Sequence, residues 1–238
     1  MSLIEGVIFD MDGLVLDTER LGYEAYLRSA RKFGFQVNDR VHMYLAGRTE
    51  PTVVAGLHEL YGDEYDVQTW RKDILAEKRK VLEEHGGRPG KKPGLLELLN
   101  YLAERGLPHA LASSSSRDQV KSLLSSEHLC HAFPQMVTGD MVTRSKPDPE
   151  IFLDAAALLE ASPNRCLVLE DSAVGIKAAV AGGFIPVFVF DDISAEGRVD
   201  GDIRVRIPLD NPHSAGSLAR YAPRDLSGVI GIIEALES

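Results

Sequence analysis

The chain has 238 residues, 44% of them hydrophobic, enough to bury one large domain or a core domain with a smaller companion. Its formal net charge of −10 excludes the basic footprint of a nucleic-acid binder, and no stretch reaches the about 20 apolar residues that a membrane span needs. Cys130 and Cys166 form neither a metal-binding spacing nor a disulfide framework, and the N-terminus lacks the charged and long apolar regions of a signal peptide, so a soluble protein of a reducing compartment, the cytoplasm, is expected, and separately a monomer.

Val7, Ile8 and Phe9 read as a short buried strand. Asp10 ends the apolar run, Asp12 follows two positions later, and Gly13 permits a tight turn. In an open α/β sheet, ligands bind outside the carboxyl ends of the strands, which is where this places both acids. An Asp can attack a phosphoryl group directly, and a second acid nearby can protonate the leaving oxygen and then activate water. Two plainer readings stay open at this point. Asp and Gly also favour simple turns, and two acids can open a calcium loop, although its third oxygen ligand and distant Glu do not follow.

From Glu19 to about Gly34 the pattern is helical, with Leu21, Ala25, Leu27 and Ala30 near helical spacing. Further helices are expected from Pro51 to Tyr61 and from Val67 to Glu84, and no convincing strand interrupts them. The Gly-, Pro- and Lys-rich stretch at 86–94 reads as a hinge. Residues 19–88 therefore form an expected all-helical cap domain, inserted into a core made of 1–18 and 89–238. His42, His58, His85 and His109 receive structural or surface readings.

Past the hinge, helix and strand alternate. Leu95 to Arg105 is a helix stopped by Gly106, and His109 to Ala112 is a strand that runs into Ser113–Ser116. Ser116 and Gln119 fit a capping box, and Met136-Val137 is the next strand. Asp148-Pro149 starts a helix, Cys166–Leu169 is a strand ending in Glu170-Asp171, and a helix from Ala173 stops at Gly182-Gly183. Cys166, at the head of its strand, reads as a small core residue. Ile185 to Phe190 is a further strand, and Leu226 to Leu236 a closing helix. Between 191 and 223 no clear period emerges apart from a possible strand at Val205–Leu209. The fold class that follows is α/β: a doubly wound, Rossmann-like parallel sheet with an inserted helical cap.

Polar residues sit where these strands stop. A hydroxyl at Ser113, with backbone N–H groups at the following helix start, can hold phosphate oxygens, though serine is also ordinary in turns. Pro147 keeps Lys146 in an extended loop, from which it can anchor a phosphoryl oxygen or simply face solvent. Glu170 and Asp171 suit a hard metal ion, with helix capping by Asp171 or Ser172 as the competing explanation. Magnesium keeps several waters and takes few protein oxygens, so Asp10, Asp171 and the Asp12 carbonyl can supply its partial shell.

The order Phe9-Asp10-Met11-Asp12-Gly13-Leu14, Leu111-Ala112-Ser113-Ser114-Ser115, Gly139-Asp140 leading to Lys146-Pro147-Asp148-Pro149, and Leu167-Val168-Leu169-Glu170-Asp171-Ser172 resembles the haloacid dehalogenase superfamily. It looks most like the phosphatase and β-phosphoglucomutase branch with a helical cap after the first motif. The resemblance implies Asp10 as nucleophile, Asp12 as acid/base, and Ser113, Ser114 and Lys146 as phosphate binders. It also implies magnesium held on the side of Asp10, Asp12, Glu170 and Asp171, and a small phosphorylated molecule as substrate. Gly47-Arg48-Thr49 resembles a substrate-facing cap loop, in which Arg48 would pair with a second anionic group. Two departures stand out. The mutases carry His at the position of Gly22, and the 191–223 segment is longer than in most relatives. The absent His favours a magnesium-dependent phosphatase over a phosphomutase, and a non-catalytic binder of phosphometabolites is a third reading. Asp12 speaks against a dehalogenase, which needs no acid for its leaving group.

Overall fold

The computed structural model describes residues 3–193, 205–209 and 216–238. Five short strands, β1 (Gly6–Phe9), β2 (His109–Ser113), β3 (Met136–Thr138), β4 (Cys166–Glu170) and β5 (Ile185–Phe188), pair in parallel in the order β3-β2-β1-β4-β5. They are apolar runs because a parallel sheet is covered on both faces. Alternation sorts the side chains. Val7, Phe9, Leu111, Leu167 and Leu169 enter one core layer, while Ile8, Ala110, Ala112, Cys166 and Val168 enter the other. The first layer packs against α5 (Leu95–Arg105), α6 (Arg117–Ser126) and α9 (Gly228–Glu237). The second packs against α7 (Glu150–Leu158) and α8 (Ala173–Ala181), whose alanines let the helices lie close. The sheet is doubly wound, as expected.

β1 lies in the middle. Phe9 pairs with Leu111 of β2 on one side and Leu169 of β4 on the other, so the residues after all three strands emerge at one edge. Between β1 and β2 come α1 (Thr18–Phe33), α2 (Asp39–Leu45), α3 (Glu50–Tyr61) and α4 (Val67–Glu84). These four helices have their own hydrophobic cluster, in which Trp70 is fully buried and stacked on Phe35 at 3.8 Å between ring centroids. Two short connections join this cap to the core. Asp17 N donates to Gly90 O at 3.0 Å and Lys92 N to Val15 O at 3.1 Å. Lys92 Nζ also bridges Asp17 Oδ1 at 3.3 Å and Asp191 Oδ1 at 2.5 Å.

Several elements depart from expectation. α2 is too short to show a period, and is started by Asn38, whose side chain accepts from Val41 N at 3.0 Å. The helix expected from Asp148-Pro149 begins at Glu150, with Asp148 Oδ1 accepting from Glu150 N at 3.0 Å. A 3₁₀ turn at Pro163–Arg165 precedes β4, and β5 ends at Phe188 instead of Phe190. Val205–Leu209 is not a strand. Its Arg206 N donates to Leu60 O, and Val205, Ile207 and Leu209 pack on the cap cluster, as does Ile193. Pro208 has no N–H to give a ladder. The rest of the 191–223 reading falls partly on 194–204 and 210–215, outside the described residues. Among the described residues no helix is long and apolar enough to cross a membrane.

Candidate active site

Four loops leaving the neighbouring strands β1, β2, β3 and β4 build the site. After β1, Asp10 N donates to Leu169 O at 3.0 Å, which carries the ladder one residue further and fixes the carboxylate at the strand tip. The chain then folds back on itself, with Met11 O accepting from the N–H groups of Val15 and Leu16 at 3.0 Å each. Gly13 is needed in this turn twice over. Its φ is +76°, and a Cβ there would overlap the Asp171 carboxylate.

Lys146 arrives from the loop before α7, across a cis bond to Pro147. Its buried Nζ donates to Asp10 Oδ1 at 2.5 Å and to Glu170 Oε1 at 2.6 Å. Burial works against the charge of this amine, but Asp10 and Glu170 outweigh it and hold the pKa above the ordinary lysine range. The other Glu170 oxygen accepts from Ser172 N at 3.0 Å and Ser172 Oγ at 2.8 Å, and Ser172 Oγ accepts from Gly175 N to cap α8. A Cβ at Gly175 would overlap the Glu170 carboxylate.

Asp10, Glu170 and Asp171 are buried with ligand oxygens all within 4.8 Å of one another. Burial pushes the Asp10 and Asp171 carboxyls well above the usual range, and repulsion from Glu170 adds to it. One lysine does not balance three carboxylates. Asp171 Oδ2 is buried and has no hydrogen-bond partner. An all-oxygen donor set with an unpartnered oxygen fits a hard divalent cation such as magnesium. Glu170 has both oxygens engaged, which leaves Asp171 as the better placed ligand and Glu170 as the group that orients Lys146.

Asp12 lies apart from that trio. Its Oδ1 accepts from Thr18 Oγ1 at 2.8 Å, and its Oδ2 from Ser115 Oγ at 3.1 Å and Ser113 Oγ at 3.5 Å. Burial and the charge of Glu19 push its pKa up, which favours a proton on it. Ser113 is fully buried and also accepts from Ser115 N at 3.1 Å. Ser114 Oγ instead donates to Gly47 O of the cap at 3.0 Å. Arg48 stays within the cap, its guanidinium 4.2 Å over the Tyr44 ring and its Nε buried without a partner.

Sequence reasoning passed over the groups that the cap brings up to these acids. Glu19 is buried beside Gly13 and bonded to His42 Nε2 at 2.5 Å. Burial opposes its charge, but His42, Lys78 and Arg71 hold its pKa down to about 2. Arg71 gives Nε and Nη2 to Glu50 at 2.8 Å each and Nη1 to Tyr26 Oη at 2.8 Å. The Lys78 amine lies 5.8 Å from the Tyr26 ring centre. A Cβ on Gly22 would stand 3.3 Å from Lys78 Nζ and 3.2 Å from His42 Cε1, so the space beside Gly22 is filled from α2 and α4. The one signal for these residues was the acid in the first turn of α1, directly after the opening motif.

Residues 7–189 match the haloacid dehalogenase-like hydrolase family. The chain is 33% identical over 185 residues to a phosphorylated carbohydrates phosphatase of Thermotoga maritima, covering 78% of this chain and 84% of that one. It is 27% identical over 203 residues to validoxylamine A 7'-phosphate phosphatase of Streptomyces hygroscopicus subsp. limoneus, covering 84% and 92%. Its fold is shared with β-phosphoglucomutase from Clostridium difficile, with TM-score 0.74, 20% identity, and coverage of 98% and 97%.

Proposed function

The chain belongs to the haloacid dehalogenase-like hydrolase family, and from that premise we propose that it is a magnesium-dependent phosphatase acting on a small phosphorylated metabolite, a sugar phosphate or close analogue. Phosphoric monoester hydrolysis is the activity class its curated relatives carry. What most supports the reading is one observation: Asp10 is held by Lys146 at 2.5 Å, while Asp12, two residues on, is held separately and raised in pKa.

In this reading Asp10 attacks phosphorus in line, and Asp12 gives its proton to the departing oxygen. The aspartyl-phosphate on Asp10 is then attacked by a water whose proton Asp12 takes back. Lys146 and the Ser113 hydroxyl hold phosphoryl oxygens, so most of the rate comes from positioning and charge. Asp10, Asp171 and the Asp12 carbonyl would hold magnesium, with Glu170 orienting Lys146, and the ion would supply neutralising charge. Residues 19–88 close over the substrate as a lid, with Ser114 tying the Gly47 loop down. The enzyme acts as a cytoplasmic monomer on a free metabolite. The test is phosphate release from p-nitrophenyl phosphate or acetyl phosphate with magnesium, lost with EDTA. Inactivity across a broad panel of phosphorylated metabolites would instead mean a binding protein.

A phosphomutase is the second reading, and one observation favours it. The side chain absent at Gly22 is replaced in space by His42 and Lys78, which move with the cap and so are able to gate the acceptor. Incubation with β-glucose 1-phosphate, magnesium and a trace of glucose 1,6-bisphosphate separates the two. Glucose 6-phosphate forming faster than free phosphate would establish the mutase.

A further inference from the structure

We propose that the segment after β5 is a third tether between core and cap, and that Ile193 with Val205–Leu209 are positioning residues that hold the cap over the site. The chain leaves the core at Asp191, a buried acid whose Oδ1 takes a hydrogen bond from Lys92 of the hinge at 2.5 Å. Two residues later Ile193 is 2% exposed and belongs to the cap's hydrophobic cluster, the one that contains Trp70, Leu57 and Leu60. Two residues of extended chain reach at most about 7 Å. The cap next to Ile193 is therefore confined to that distance from Asp191, unless Ile193 leaves its apolar surroundings or the Lys92 pair breaks.

A second attachment lies further on. Val205, Ile207 and Leu209 pack on the same cluster, with the intervening Arg206 and Pro208 exposed. Arg206 N donates to Leu60 O at 2.8 Å, in the last turn of α3, where carbonyls have no partner within the helix. Its guanidinium meets Glu64 at 2.5 Å and lies over Gly62, where a Cβ would overlap it. By Tyr221 the chain is back on the core, with Phe188 N donating to Tyr221 O at 2.8 Å. The exposed Arg206–Glu64 pair adds little. The apolar residues supply the adhesion, and the hydrogen bond to Leu60 fixes their register. Ile193 and Val205–Leu209 ride with the cap, the chain pivots at Asp191, and these contacts bias the site toward the closed arrangement.

Only the kinetic arm of the test rests on the phosphatase reading. In the full-length protein, Ile193→Ala and, separately, the pair Val205→Ser and Ile207→Ser are compared with the parent by hydrogen exchange at the hinge amides of Asp17 and Lys92. Fluorescence of Trp70, the only tryptophan, reports that the cap is folded. About tenfold faster hinge exchange with native Trp70 emission is expected. KM for p-nitrophenyl phosphate should rise by roughly threefold or more while KM for acetyl phosphate, too small to reach the cap, stays put. Native Trp70 emission with hinge exchange equal to the parent in both variants would overturn the proposal. If Ile193→Ala loses native emission, the pair at 205 and 207 decides, because those side chains are half-exposed and easier to replace. A protein inactive on every substrate defeats the phosphatase reading and leaves the exchange result standing.

Discussion

The core holds a buried cluster of charged side chains and the cap a partly buried one, and they neutralise it in opposite ways. At the sheet edge three carboxylates, Asp10, Glu170 and Asp171, share one lysine, and an oxygen of Asp171 is left unpartnered. In the cap, Glu19 is matched by His42, Glu50 by Arg71, and Lys78 stands among them. The first cluster is held by short loops whose covalent geometry keeps the acids together against their repulsion. The second is held by pairs between helices that would separate if they repelled. A cluster with excess negative charge is prepared for a cation and an anionic substrate, whereas a balanced one can approach and leave without changing the charge of the site.

Four substitutions break or sharpen this contrast, beginning with the largest effect. Asp10→Asn keeps shape and removes the proposed nucleophile, so turnover should fall on the order of 10⁴-fold or more with the circular dichroism spectrum unchanged. Ordinary activity in that variant would end the covalent mechanism. Gly175→Ala pushes a methyl into the Glu170 carboxylate and so disturbs the support of Lys146. We expect kcat/KM lower by about 10²- to 10³-fold and stability lower by about 2 kcal/mol, read by steady-state kinetics and urea unfolding; parental values for both would mean that Glu170 has room to move.

Glu19→Gln tests the cap. The Glu19 carboxyl is at about 2 in the folded chain against an ordinary 4.5, so its contribution is complete above pH 4.5 and disappears as pH falls from there toward 2. The amount is on the order of 3 kcal/mol. The Gln variant should be less stable than the parent at pH 7 and should lose less between pH 4.5 and 2; parallel pH profiles for the two proteins would refute the assignment. Arg48→Ala should have the smallest effect. Its guanidinium is spent on Tyr44, so KM should change by less than about threefold, and a tenfold rise would place Arg48 on the substrate.

The core was legible in the sequence because the acids of its candidate site directly follow apolar runs. Asp10 comes after Val7-Ile8-Phe9, and Glu170-Asp171 after Leu167-Val168-Leu169, so strand recognition and site recognition were one act. The cap's groups had no such marker. His42 meets Glu19 across 23 positions and Arg71 meets Tyr26 across 45, and a single polar residue on a helix does not announce its partner. α2 escaped notice because seven residues carry fewer than two full periods. Val205–Leu209 is the more instructive miss. The alternation of apolar and polar residues was real and does place Val205, Ile207 and Leu209 on one face, but that face lies on helices and not in a sheet.

The two hinge strands touch, with Leu16 bridged to Lys91, so the ends of the cap meet side by side. A stretch of chain with adjoining ends can be exchanged between relatives by a simple genetic insertion, without respacing the strands on either side. In this protein such an exchange would be incomplete. Ile193, Val205, Ile207 and Leu209 are inherited with the core's half of the gene, yet Ile193 is buried in the cap and the other three pack against it. A foreign cap grafted between residues 17 and 91 would therefore meet side chains shaped for another partner. The inheritable unit here has three pieces, and a chimera carrying all three should fold where one carrying only the first does not.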